Sequence, residues 1–352
     1  MCPIITPDTD GNMDLSSIFT FVGGLTYISF TIYCANQEQV ADSHSGVLRW
    51  LLYGVALLTF LYGLFILEIA FSPVPADSQL ASIDSSSALV NFVLTTVLSL
   101  LSTRVVASAK LRARIRRILP ASATYNPDSP VHTAACVLTL AVVSFIIGDF
   151  VAGGGIAGLA QNLQTSGVGF GDLFFQEILW VFAAALGIGL FLRRTPQQAL
   201  TRLGLRIPTR QDINWGIGIG LLLFGLVIAT SSVWSLLVSP QELQQQTAAS
   251  DQLAQSFNSL PVSFITSVVV AIGEEIFFRG ALQPVFGIWL TSLLFAVIHT
   301  QYTLTPATLI IFITSLGLGW LRQRYSTSAS IIGHFVYNFI QLALAVLVGT
   351  SI

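Results

Sequence analysis

Ala271-Ile-Gly-Glu-Glu-Ile-Phe-Phe-Arg-Gly280 lies inside an apolar run from Leu260 to Phe286. Two adjacent carboxylates and a guanidinium in such a run decide what kind of chain this is. Ionisable groups at membrane depth are costly. They persist where they face a protein interior, usually at a functional site. On a helix, Glu275 and Arg279 stand at i and i+4 with the acid on the N-terminal side, the better orientation for an ion pair. Glu274 lies about 100° further around the helix. One carboxylate is therefore expected to be held by Arg279, and the other to face a site.

The surrounding chain supports that depth. Of its 352 residues, 53% are hydrophobic and 9% charged, with a mean hydropathy of +0.77. A soluble domain carries about 25% charged residues. The fold class expected is an all-α, polytopic transmembrane helical bundle, an integral multi-pass protein whose first partner is the lipid bilayer. Apolar runs of roughly 20 residues, enough to cross a bilayer as a helix, occur at Leu15–Ala35, Val47–Phe71, Ala88–Ala107, His132–Ala152, Asp172–Leu192, Ile213–Val238, Leu260–Phe278, Ile288–Tyr302, Pro306–Leu321 and Ser328–Val348. The seventh runs into the short eighth through Pro284 and Gly287, which reads as a bent pair. Eight to ten spans are expected. The N-terminus has Asp residues and no Lys or Arg before the first run, so it lacks the basic segment of a cleavable leader. The first run is expected to remain as a span.

Charge is segregated by connection. Lys110, Arg112, Arg114, Arg116 and Arg117 precede the fourth run. Arg193, Arg194, Arg202, Arg206 and Arg210 lie between the fifth and sixth, and Arg322 and Arg324 follow the ninth. The intervening loops carry Asp77, Asp84, Glu242 and Asp251, and a neutral stretch at Gln161–Gly171. Basic short loops stay in the cytoplasm, so these three connections are expected there and the loop with Gln244-Gln245-Gln246 outside. No basic patch is interleaved with aromatics, and no nucleic-acid partner is expected. Cys2, Cys34 and Cys136 show no ligand spacing and read as packing residues.

Two of the four histidines stand in apolar runs. His299 closes Phe295-Ala-Val-Ile-His299, and His334 shares a helix face with Asn338 at i+4. His44 and His132 fall in or beside loops and read as solvated. At 1.5 Å per residue, Glu274 and His334 each lie about 9 Å from the cytoplasmic ends of their helices and His299 about 16 Å. Those depths are compatible with one buried site. Glu68, Asp149 and Glu177 lie near the opposite ends and read as interfacial.

Taken together, Glu-Glu-x-x-x-Arg, Phe-x-x-x-His and His-x-x-x-Asn resemble the CPBP family. These are the CAAX-protease and bacteriocin-processing (Abi) intramembrane proteases, related to the CAAX prenyl endopeptidase. The matching positions are Glu274, Glu275, Arg279, Phe295, His299, His334 and Asn338. The resemblance runs over residues 260–344 and divides the chain into a membrane region of unassigned role, 1–165, and a protease core, 166–352.

The resemblance implies an intramembrane endopeptidase acting on a membrane-associated protein or peptide, with its site towards the cytoplasm. Glu274 with His299 would activate water, and His334 with Asn338 would form an oxyanion hole. Glu275 and Arg279 would be structural partners at the site. No cofactor is expected. The alternative is Zn²⁺ held by Glu274, Glu275, His299 and His334, since two His and a carboxylate suit an open zinc site. Two other function classes stay open at this point. One is a non-proteolytic scaffold or chaperone of the same family, because a motif does not establish turnover. The other is a transporter, because buried Glu and His also suit proton relays.

Overall fold

A computed structural model describes residues 15–41, 46–72, 83–166, 169–239, 243–244, 259–299 and 306–348. The Gln245 loop, His44, Cys2, Asp77, Glu242 and Asp251 lie outside the described residues. Every element is helical: α1 Leu15–Ala41, α2 Gly46–Phe71, α3 Ser85–Ala107, α4 Ala109–Ile118, α5 Pro130–Ala152, α6 Gly155–Ser166, α7 Phe170–Gly187, α8 Pro196–Leu203, α9 Arg210–Ser235, α10 Leu260–Glu274, a π-helical segment Glu275–Leu282, α11 Gln283–Ile298, α12 Pro306–Arg324 and α13 Thr327–Val348.

Seven helical stretches among the described residues are long and apolar enough to cross a membrane: α2, α3, α5, α7, α9, the continuous Leu260–Ile298 stretch and α13. α1 and α12 coincide with two further expected spans and are not among these seven. The bundle is apolar on its outside. Leu57, Leu61 and Leu64 on α2, and Val93, Val97 and Leu100 on α3, form exposed stripes at helical spacing, while Thr59, Asn91, Thr95, Ser99 and Ser102 are buried. Lipid solvates the first set. Helix association without a hydrophobic drive uses small residues and interhelical hydrogen bonds. Ser99 accordingly donates to the Ala56 carbonyl across the α2–α3 contact at 2.6 Å. Gly216 and Gly220, one turn apart on α9, face the Ala329 and Gly333 carbonyls of α13, where a Cβ would collide.

The three basic connections gather at one end of the bundle and are largely ordered. The first contains α4, entered through a Ser108 cap, and the second contains α8, entered through a Thr195–Gln198 capping box. The periodic apolar residues of these short helices, Leu111, Ile115, Ala199 and Leu203, pack inward. Asp212, buried at the start of α9, ties these ends together by accepting from Thr209, Arg206 and Ser326.

The Leu260–Ile298 stretch is a hairpin rather than one straight span. The bent pair expected at Pro284 and Gly287 is present. Gly287 takes φ 82° and ψ 168°, a conformation open essentially to glycine alone, and breaks the helix. Glu274 and His299 lie at nearly equal distances along the chain on either side of it. Their side chains meet, so the chain must fold back there. Pro120 packs against Gly287, and Thr124 donates its amide N–H (2.8 Å) and hydroxyl (2.9 Å) to the Pro284 carbonyl. Residues before 165 thus hold the hairpin tip, and one apolar core joins Leu52, Val105 and Val137 to Phe278, Phe286 and Phe295.

Candidate active site

The π-helical segment sets the site. Pro284 has no N–H and leaves one carbonyl of the preceding turn without its backbone donor. Basic side chains take carbonyls of that turn. Arg202 of α8 donates to Gly280 O (2.9 Å) and Ala281 O (3.4 Å), and Arg322 of α12 donates to Arg279 O (3.3 Å). Gln283 reaches across to the Gly319 carbonyl at 2.8 Å. The widened turn begins at Glu275, directly after Glu274, so the two glutamates sit where the backbone changes pitch.

Glu275 is fully buried and doubly held. Its Oε2 lies 3.3 Å from Arg279 Nε, the expected i,i+4 pair. Its Oε1 accepts from His334 Nδ1 at 2.9 Å, and the Ser330 hydroxyl also lies against Oε2. Arg279 is 1% exposed. It donates to Ser315 Oγ at 3.1 Å and stacks 4.4 Å from the Phe295 ring centroid. Phe295 also supplies the carbonyl that accepts from His299 Nδ1 at 2.6 Å. The Phe of Phe-x-x-x-His therefore orients both the guanidinium and the imidazole.

Glu274 faces away from that pair. Its Oε1 is 3.7 Å from His299 Nε2 and its Oε2 is 3.8 Å from His334 Nε2. Both gaps exceed direct hydrogen-bond reach. Each histidine has its Nδ1 committed elsewhere, so each directs Nε2 at Glu274. Glu275 is held by Arg279, while Glu274 faces the two histidines. Asn338 lies one turn beyond His334 on α13, half-buried, with no side-chain hydrogen bond into the network among the described residues.

The site also contains groups the sequence did not single out. Ser330 and Ser315 ring the Glu275–Arg279 pair. Ser330 stands one turn before His334, a spacing that continues Ser-x-x-x-His-x-x-x-Asn and could have been noticed. Glu177 is a correction. It was read as interfacial, but it is 2% exposed, and its Oε2 packs against Gly273 so closely that a Cβ there would collide. Its Oε2 has no hydrogen-bond partner among the described residues. The absence of a side chain at Gly273 lets α7 approach deeply enough to bury it. His132 is likewise drawn in. Its Nδ1 accepts from the Asn126 amide at 2.8 Å, and its ring stacks on Tyr125. Glu68 is exposed, as read, while Asp149 is partly buried.

Residues 256–340 match the model of the type II CAAX prenyl endopeptidase Rce1-like family. This part of the chain is similar to that family. All seven motif positions fall inside the Rce1-like segment, as do Ser315 and Ser330, whereas Glu177, Arg202 and Thr124 reach it from outside. A relative from Bacillus subtilis (strain 168), the uncharacterized protein YpbD, is 29% identical over 140 residues, covering 40% of this chain and 69% of YpbD. No solved structure matches.

The donor set can be tested against a metal. Both oxygens of Glu275 are engaged by Arg279, Ser330 and His334, which leaves Glu274, His299 and His334. Among the described residues no group of three or more His, Cys, Asp and Glu is arranged to hold an ion.

Proposed function

We propose that the chain is an intramembrane endopeptidase that hydrolyses a peptide bond in a membrane-associated protein or peptide, without a metal. The observation that carries this reading is the Glu274 carboxylate, each oxygen facing the Nε2 of a different histidine at 3.7 and 3.8 Å. A water seated beside that group would reach Glu274 and His299 at ordinary hydrogen-bond length, about 2.8 Å. Glu274 takes the water's proton as the oxygen attacks the carbonyl, then delivers it to the leaving amine. His299, with Nδ1–H on the Phe295 carbonyl, presents Nε2 as an acceptor that orients the water.

His334 donates from Nε2 to the oxyanion only when its ring is doubly protonated, because Nδ1–H already points at Glu275. Glu275, fixed by Arg279, holds the ring in that orientation. Asn338 adds a second donor when substrate is bound. The basic connections at this end support a site towards the cytoplasm, because basic short loops stay there. The reading is tested by comparing new chain termini in the membrane proteome of cells carrying wild type, Glu274→Ala or His299→Ala. Termini should appear with wild type alone while all three proteins accumulate equally. Equal termini from all three would overturn the reading.

A further inference from the structure

Four arginines lie together at the basic end of the bundle with no ion pair among the described residues. Arg193 and Arg194 follow α7, Arg202 ends α8 and Arg322 lies near the end of α12. Among the described residues their hydrogen bonds all go to uncharged oxygens. Arg193 donates to Asn36 Oδ1 at 2.6 Å, Arg194 to the Ile188 carbonyl, Arg202 to Gly280 and Ala281, and Arg322 to Arg279. A guanidinium has five N–H donors, so most of the donor capacity is unused among the described residues. Nearby arginines behave differently. Arg206 pairs with Asp212 at 3.0 Å and Arg279 with Glu275.

The four are half-buried and close enough to repel one another. Arg202 is drawn down to about 10, first by burial and then by Arg194, Arg322 and Arg193. Arg193 is drawn down to about 10 by burial and by Arg194. Such a cluster is stabilised by an anion that accepts from several forks at once. Large apolar side chains border it. Phe191 is 79% exposed, Ile207 91% and Leu200 45%. Charge beside exposed apolar surface suits an amphiphile better than a free anion.

We propose that Arg193, Arg194, Arg202 and Arg322 form a binding site for the phosphate of an anionic membrane lipid, whose acyl chains lie along Phe191 and Leu200. The purified full chain in zwitterionic detergent is titrated with phosphatidylglycerol, with phosphatidylcholine of the same acyl chains, and with sodium phosphate. Retained lipid is read by native mass spectrometry and stability by thermal unfolding. Phosphatidylglycerol alone should remain bound and raise the unfolding temperature. Arg193→Gln combined with Arg194→Gln should weaken it by about 30-fold, from roughly 1 kcal/mol per basic residue near an anionic surface. Arg114→Gln with Arg117→Gln on α4 should leave binding unchanged. If the double variant at 193 and 194 does not fold, Arg193→Gln alone should still weaken binding by several-fold. Equal binding of phosphatidylcholine, an equal shift from sodium phosphate, or loss of binding only in the α4 variant would each overturn the proposal.

Discussion

Glu274 and Glu275 are neighbours in sequence with opposite assignments. Glu275 sits between Arg279 and His334, so Glu275→Gln removes the charge that holds both. Breaking a buried ion pair from one side costs about 3–5 kcal/mol. Thermal unfolding should show that loss, and activity should fall with it because His334 loses its anchor. Glu274 makes no such contact, and Glu274→Gln should unfold like wild type while losing cleavage. Gly273→Ala tests the Glu177 contact. Its Cβ meets the Glu177 carboxyl, so α7 must shift, and both melting temperature and activity should drop. Asn338→Ala should leave stability intact and lower turnover by about 10²–10³-fold, the range for one oxyanion donor. The pairing of Glu275 with Arg279 was legible from the i,i+4 spacing. The bond from Glu275 to His334 was not, because it depends on how α13 lies against the π-helical segment. Glu177 was missed because one acid near a span end carries no periodic signal. Its burial follows from Gly273 on another helix.

At the scale of elements, the spans and the bent pair could be read from apolar length and from Pro284 and Gly287. The π-helical pitch could not, since the side chains that take carbonyls of that turn, Arg202 and Arg322, arrive from α8 and α12. The short helices α4 and α8 hide in the sequence because their apolar residues are few and lie among arginines. Gly287→Ala should be destabilising, by about 1–3 kcal/mol for the backbone conformation alone, with more from the collision with Pro120. Arg202→Met keeps the length of the side chain and removes its donors. It leaves two carbonyls of the site helix without their partner, at about 1–3 kcal/mol for an unsatisfied group. Chemical denaturation of the two variants should show both losses, and wild-type behaviour in either would remove the hairpin tip or the arginine cap from the account.

Over the whole molecule, the buried carboxylate–histidine group stands inside a bundle whose outer surface is apolar and whose arginines collect at one end. The apolar outside was legible from composition. The convergence of α7, α10, α11 and α13 was legible only in part, since depth along each helix can be counted but lateral neighbours cannot. The topology is checked by single cysteines at Arg114 and Gln245 in a cysteine-free background. A membrane-impermeant reagent added outside intact cells should label position 245 and spare position 114. The central claim is that Glu274 activates water without a metal. It is tested most directly by single-turnover cleavage in proteoliposomes, with purified wild type and Glu274→Gln, of a substrate captured by the terminus comparison, with and without a chelator. Wild type should cleave at the same rate in both conditions, and Glu274→Gln should be slower by at least about 10²-fold, the lower range for a general base. Undiminished cleavage by Glu274→Gln, or wild-type activity that vanishes on chelation and returns with stoichiometric zinc, would contradict the account.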